Sequence, residues 1–337
     1  MNYRLPFCVI CALIALSASL PADAARERGN HFKPLKASAK KAEKSSKLVK
    51  NKKAALKYLD KKGIPSENYD KALIENLEKG DSQTAAALIH AGAAVNASGN
   101  EKKPLLLAAE HCTPEILQLL LDKGADRNCI DTEPLRGSVG MGKTAPFKAA
   151  KSNNLRNLKY LHSIGFSCTA RAKDNWPGHN VLLEAALNGS HECARYIIEK
   201  GGGDPHEILP GGCTIMHRAA IGGSVELVKY LESKGVEIDR LATGYGLTPL
   251  CFAGQRGHEE LVLYMLAKGA NPNMDLNRGG MRPLHHLAAK ATTNVMNELM
   301  KSKADFSLKT NQGKSFRDFA KMGNNQEALD FLDKHGL

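Results

Sequence analysis

Aromatic residues are scarce in this chain: nine Phe, eight Tyr and a single Trp make up 5% of its 337 residues. Sheets favour aromatic and β-branched side chains, whereas Ala and Leu suit close-packed helices, so the composition argues for helices. Of the six cysteines beyond the N-terminal apolar run, none sits in a C-x-x-C pair, which removes the usual signatures of structural zinc and thioredoxin-like chemistry. His191-Glu192 lacks the second His of H-E-x-x-H, so a zincin is excluded. No Ser/His/Asp or Cys/His pairing stands out. These gaps leave no constellation for an enzyme, and no metal or cofactor is expected. Beyond residue 20 no stretch is apolar enough to span a bilayer.

The first residues are different in kind. Arg4 precedes an apolar run over residues 5–20, and Ala22-Asp23-Ala24 supplies a small-x-small site. That is the layout of a secretory signal peptide, with cleavage expected after Ala24. Cys8 and Cys11 sit inside the apolar run rather than at its end, which argues against a lipoprotein signal. Six cysteines remain after processing, at 112, 129, 168, 193, 213 and 251.

A formal net charge of +12 suggests a nucleic-acid partner until the charge is located. Residues 25–62 hold fourteen Lys/Arg against Glu27, Glu43 and Asp60, a net of +11, while Arg4 and Asp23 cancel. Everything from Gly63 onward nets about +1. The basicity belongs to the entry segment, so no specific nucleic acid is expected on the body. The segment reads as a solvated linker or as an arm making weak contact, through residues 26–53, with an anionic surface.

Self-similarity organises the rest. HAGAAVN (90–96), DKGADRN (122–128), HSIGFSC (162–168), EKGGGDP (199–205), SKGVEID (233–239), AKGANPN (267–273) and KSKADFS (301–307) align on Gly92, Gly124, Gly165, Gly201, Gly235, Gly269 and Lys303. The spacings are 32, 41, 36, 34, 34 and 34 residues, a period near 33 stretched by two insertions. A small apolar helix is expected ahead of each hairpin, as in PLLLAAEH (104–111), PFKAAKSN (146–153), LLEAALNG (182–189), MHRAAIGG (216–223), PLCFAGQRG (249–257) and PLHHLAAK (283–290). A second follows it, as in PEILQLLLDKG (114–124) or SVELVKYLESKG (224–235). Pro249 and Pro283 begin their helices, where a missing N–H costs nothing, and the terminal glycines are suited to a left-handed backbone. The best copies are TIMHRAAIGG (214–223), TPLCFAGQRGH (248–258) and RPLHHLAAK (282–290).

With its T-P-L-H-x-A-A start and G-A-D-x-N end, this unit resembles the ankyrin repeat over residues 71–337. The resemblance implies an all-α solenoid of about eight stacked helix-turn-helix repeats joined by β-hairpin-like loops. The expected division is a signal peptide (1–24), a Lys-rich linker (25–53), an N-terminal half-repeat (54–70), ankyrin repeats (71–310) and a capping repeat (311–337). Because arrays behind a secretory signal look bacterial, a periplasmic or secreted protein is expected. Tyr58, Tyr160, Tyr196, Tyr230 and Tyr264 each lie five residues before the terminal Gly, a ladder expected to pack while its hydroxyls reach the surface.

Three motifs need separate weighing. Gly137-Ser138-Val139-Gly140-Met141-Gly142-Lys143-Thr144 satisfies the P-loop pattern G-x-x-x-x-G-K-[ST], but no strand-like run precedes it. The repeat register puts Thr144 at the T-P-L-H threonine, so the glycines fall in an inserted hairpin. His285-His286 could suggest a metal, yet the resemblance gives His285 a structural hydrogen bond. Cys129 and Cys168 fall in neighbouring hairpins, where a disulfide is conceivable.

The resemblance also implies a function: a non-catalytic module that binds a partner protein through hairpin tips and exposed inner-helix positions. The alternative is an envelope-associated protein tethered by its Lys-rich segment. By register the tips carry Trp176, His179, Tyr245, Arg278 and Met281, and the inner-helix positions carry Lys148, Glu184, Arg218, Phe252 and His286. Exposed Trp, Tyr, Phe, Met and Arg are the types enriched at interfaces. A monomeric array is expected.

Overall fold

The computed structural model describes residues 49, 51–96, 102–131, 142–172, 178–276 and 278–337. Among these, a lone helix α1 (Lys52–Lys61) precedes eight helix pairs. The pairs are α2 (Tyr69–Glu78) with α3 (Ser82–Ala91), α4 (Pro104–His111) with α5 (Pro114–Asp122), and α6 (Ala145–Lys151) with α7 (Leu155–Ser163). Then come α8 (Val181–Leu187) with α9 (His191–Lys200), α10 (Ile215–Gly222) with α11 (Val225–Ser233), and α12 (Pro249–Arg256) with α13 (Glu259–Ala267). The last two are α14 (Pro283–Leu287) with α15 (Thr293–Lys301), and α16 (Phe316–Met322) with α17 (Gln326–His335). Even-numbered helices from α2 to α16 stack as an inner row, odd-numbered ones as an outer row, and α1 extends the outer row beyond α3. This is the expected all-α solenoid. Among the described residues the hairpins contain no strand, only the isolated bridges Arg171–Asn180 and Ala242–Leu247.

The inner row packs through small residues. Ala108-Ala109, Ala149-Ala150, Ala185-Ala186, Ala219-Ala220 and Ala253 are fully buried, because the adjoining helix leaves no room for longer side chains. A Cβ added to Gly222 would lie 2.3 Å from the Ala186 carbonyl oxygen, so backbone meets backbone there. Outer helices bind the preceding inner helix with polar side chains. Asn157, fully buried, donates to the carbonyls of Ala108, Ala109 and Cys112 at 3.0–3.1 Å. Asn325 does the same to Ala288 and Ala291, and His258 Nε2 to Ile221 (2.9 Å). These groups satisfy carbonyls that a helix end leaves open.

Hairpins are joined one to the next by asparagine. Asn96 donates to the Gly124 carbonyl and accepts from the Asp126 N–H, both at 2.8 Å. Asn273 repeats the arrangement with Lys303 and Asp305, both at 2.9 Å. The tyrosines form a second ladder on the outer row. Tyr160 donates to Gln118, Tyr230 to Glu199 (3.4 Å) and Tyr264 to Glu232. Tyr196 shares a hydrogen bond with His162 (2.8 Å). The residue preceding each tyrosine covers the ring of the next repeat: Lys159 over Tyr196, Arg195 over Tyr230 and Lys229 over Tyr264, at 5.3–5.7 Å. Such cation–π contacts at exposed sites are each worth about 0.5–1 kcal/mol.

One local expectation needs correction. Gly201 is not left-handed (φ −92°); the run of three glycines shifts the positive φ to Gly202 (+77°). Lys303, where most repeats have Gly, does adopt the left-handed region (φ +56°). That conformation costs a residue with a Cβ about 1 kcal/mol, so Lys303→Gly should raise the urea midpoint of unfolding. Gly222→Ala should lower stability by about 2 kcal/mol through the backbone clash. Far-UV circular dichroism during urea titration checks both.

Candidate functional site

The fourth residue of each inner helix from α4 to α16 faces the concave side, and in repeat order these are Leu107, Lys148, Glu184, Arg218, Phe252, His286 and Phe319. Sequence reasoning identified the middle five and missed Leu107 and Phe319, although the same count from the helix start reaches them. It also took these positions as exposed, and the structure corrects that for three. Glu184 is 2% exposed, Phe252 7% and Arg218 8%. Lys148 and His286 are half-buried.

The reason lies in the hairpin limb that descends beside each inner helix. Glu184 Oε2 accepts from Lys143 Nζ at 2.9 Å and lies 2.9 Å from His179 Nε2. His179, expected at a hairpin tip, is instead 5% exposed and sets its ring edge-on to Phe147 at 5.7 Å. Burial by itself would raise the Glu184 pKa, but the hydrogen bond from His179 and the charge and hydrogen bond of Lys143 hold it down at about 2. Lys148 forms an ion pair with Asp131. Burial also weakens the charged state of Arg218, while Cys213, Tyr245 and Glu184 favour it.

Lys143 is therefore occupied. Its backbone closes a hairpin with Asp131, whose N–H donates to the Lys143 carbonyl (2.9 Å) while the Asp131 carbonyl accepts from Gly142 (2.9 Å). With its ammonium on Glu184, the P-loop lysine is not presented to a phosphate. Gly137 to Met141 lie outside the described residues.

Further along, the tips form a row of their own. The Tyr245 ring sits against Gly211 of the preceding hairpin. Arg278, exposed, donates to the Tyr245 carbonyl. Met281 is half-buried with its carbonyl accepting from Leu276 N–H (3.3 Å). Trp176 lies outside the described residues. Gln255 Nε2 donates to His286 Nδ1 at 2.7 Å; burial, then His285 and Arg278, push the His286 pKa down to about 4, so the ring is neutral at pH 7. The neighbouring His285 has the structural role its register implies. Its Nδ1 accepts from the Arg282 N–H (3.0 Å), and Nε2 bonds the Leu308 carbonyl (3.1 Å).

The six described cysteines are free, Cys129 and Cys168 included. Burial pushes the Cys129 and Cys168 thiols up to about 11 and those of Cys112 and Cys251 to about 12, which suppresses the reactive thiolate. Among the described residues no three His, Cys, Asp or Glu side chains converge as a metal site, and no helix is long and apolar enough to cross a membrane.

This geometry agrees with comparisons to known proteins. The sequence matches the family described as "Ankyrin repeats (3 copies)" over residues 105–208, 146–242, 201–275 and 234–310. The chain belongs to the ankyrin-repeat family, whose members are generally protein–protein interaction modules. It is 28% identical over 138 residues, 41% of its length, to the ankyrin repeat and KH domain-containing protein mask-1 of Caenorhabditis elegans. The match spans only 5% of that much longer relative. In fold it is similar to the crystal structure of the human ASB11 ankyrin repeat domain, with a TM-score of 0.53 and 23% identity. That likeness covers 68% of this chain and 97% of the other.

The Glu184 cluster makes a pH prediction. Its folded pKa of about 2 lies below its ordinary 4.5. The stabilisation is therefore complete above about pH 4.5 and disappears as pH falls towards 2. Glu184→Gln, which leaves buried Lys143 without a countercharge, should cost about 3 kcal/mol at neutral pH. The variant's deficit should shrink below pH 4.5. Urea midpoints measured from pH 7 to 3 check both; a deficit constant across that range would contradict the assignment.

Proposed function

We propose that the array is a non-catalytic adaptor or effector that binds a partner protein on its concave face. The observation that carries this reading is a division of labour between the two rows. On the outer row, tyrosine hydroxyls and the cations beside them are spent on the neighbouring repeat. On the inner side, Tyr245 and Arg278 at the tips, and His286 and Phe319 on the inner helices, reach the surface in register on successive repeats, with Met281 beside Arg278. Met322 extends that row at 64% exposure. Solenoids use such extended concave surfaces for binding.

Export is part of the same proposal. The charge, apolar run and small-x-small site of residues 1–24 support cleavage after Ala24 and delivery to the periplasm or the medium. The net +11 of residues 25–62 supports a second reading, in which this segment tethers the protein to an anionic envelope polymer or membrane. Cell fractionation with mass spectrometry of the mature N-terminus should find Ala25 first; an intact Met1 in the cytoplasmic fraction would refute export. Deleting residues 26–48 should abolish salt-sensitive binding to anionic vesicles if the tether exists.

The choice of residues for testing the concave surface follows from burial. Phe252→Ala would empty a packed site beside His217, at 6.1 Å between ring centroids, and cost about 3–5 kcal/mol. It would confuse binding with folding. Tyr245→Ala, Met281→Ala and Trp176→Ala, combined, should weaken a captured partner by about 10- to 100-fold while leaving thermal unfolding near wild type. Unchanged affinity in a folded triple variant would refute the placement.

A further inference from the structure

Charge is distributed unevenly along the concave side. In the first half the cations are neutralised from within: Lys102 by Glu78, Lys143 by Glu184, Lys148 by Asp131 and Lys151 by Glu110. The second half differs. Its three hairpin limbs with their inner helices, residues 242–258, 276–292 and 309–323, carry eight cations and one carboxylate, Asp318. Arg282 pairs with Asp275 and Arg317 with Asp333. Arg256, Lys290, Lys309, Lys314 and Lys321 are in no ion pair among the described residues. Asp318 is near Lys309 and Lys321, but one of its oxygens is already bonded to the backbone and side chain of Ser315.

Several of these cations are set against one another. Lys290 donates to the Arg256 carbonyl at 3.3 Å, and the two positive charges are close enough to weaken that of Lys290, which burial also lowers. Lys314 reaches the sulfur of Met322 (3.8 Å), the most exposed large apolar side chain of the described residues. Meanwhile the outer helices α13, α15 and α17 carry six carboxylates, Glu259, Glu260, Glu298, Glu327, Asp330 and Asp333, against two lysines, Lys301 and Lys334. Positive charge thus collects on the concave face of this half and negative charge on its back.

We propose that the concave face from Tyr245 to Met322 docks an acidic segment of a partner protein, with apolar side chains between its carboxylates. The proposal rests on the concave-binding reading above and specifies its partner. Uncompensated cations attract and orient such a segment, and Met281 and Met322 offer adaptable apolar contacts between them. A nucleic acid fits less well. Base stacking needs an open aromatic face, whereas Phe252 is 7% exposed, Tyr245 lies against Gly211, and the Phe319 ring lies against His285 at 5.4 Å between centroids.

The test uses the full chain and a fluorescent peptide of alternating Glu and Leu with one photo-crosslinking side chain. Its comparators are the Gln counterpart and an oligothymidine. The Glu peptide should bind about tenfold more tightly than the Gln peptide and weaken with salt. The variant Arg256→Glu/Lys290→Glu/Lys321→Glu should lose about tenfold in affinity. Lys123→Glu/Lys200→Glu, at the ends of outer helices, should lose less than about twofold. Crosslinks should map within residues 242–323. Crosslinks confined to residues 25–62, equal losses in both charge variants, or tighter binding of oligothymidine would each overturn the proposal. If Gln and Glu peptides bind alike and Tyr245→Ala/Met281→Ala weakens both, the acidic partner is wrong while concave binding survives. If no concave substitution matters for any peptide or captured protein, both readings fail.

Discussion

Every described repeat of this molecule depends on the contact between one inner helix and the next. A single pair of short helices cannot bury its apolar side alone, so each repeat is stable only against a neighbour. That contact is made at backbone range, by paired alanines and by Gly222 against the Ala186 carbonyl. The close approach fixes the spacing of the repeats. It also brings descending hairpin limbs beside the inner helices of neighbouring repeats, Lys143 against Glu184 and His179 against Phe147.

The polar side chains adapt to that spacing in two ways. On the outer row they are connectors: tyrosine hydroxyls, cations over rings, and buried asparagines capping the previous helix. Each contact is modest, but it recurs with the repeat and adds along the array. On the inner row the first half uses its charges the same way, with Glu184 held between Lys143 and His179. The second half leaves cations without carboxylates, and the two ends of one concave face therefore differ electrostatically.

The helices were legible from sequence because period, proline and glycine are local signals. PLLLAAEH was read as residues 104–111 and α4 spans Pro104–His111; the other inner helices shift by a residue or a few at their ends. The segment expected as an N-terminal half-repeat, residues 54–70, contains most of α1 (Lys52–Lys61). The candidate surface was less legible. Counting from the helix start correctly put Lys148, Glu184, Arg218, Phe252 and His286 on one row. It could not tell that Glu184, Arg218 and Phe252 would be covered, or that His179 would turn inward onto Glu184.

The sequence by itself determined the repeat, its period, the helices within it and the concentration of positive charge ahead of the array. All of these follow from residues a few positions apart, where backbone geometry leaves little choice. Only the tertiary structure decided which charges face water. Lys143 and Glu184 are 41 positions apart, and Asp131 and Lys148 are 17. The burial of one partner depends on how far a limb descends beside a helix. The uneven concave face is the sum of those pairings, made for Lys102, Lys143, Lys148 and Lys151 in one half and lacking, among the described residues, for Arg256, Lys290, Lys309, Lys314 and Lys321 in the other.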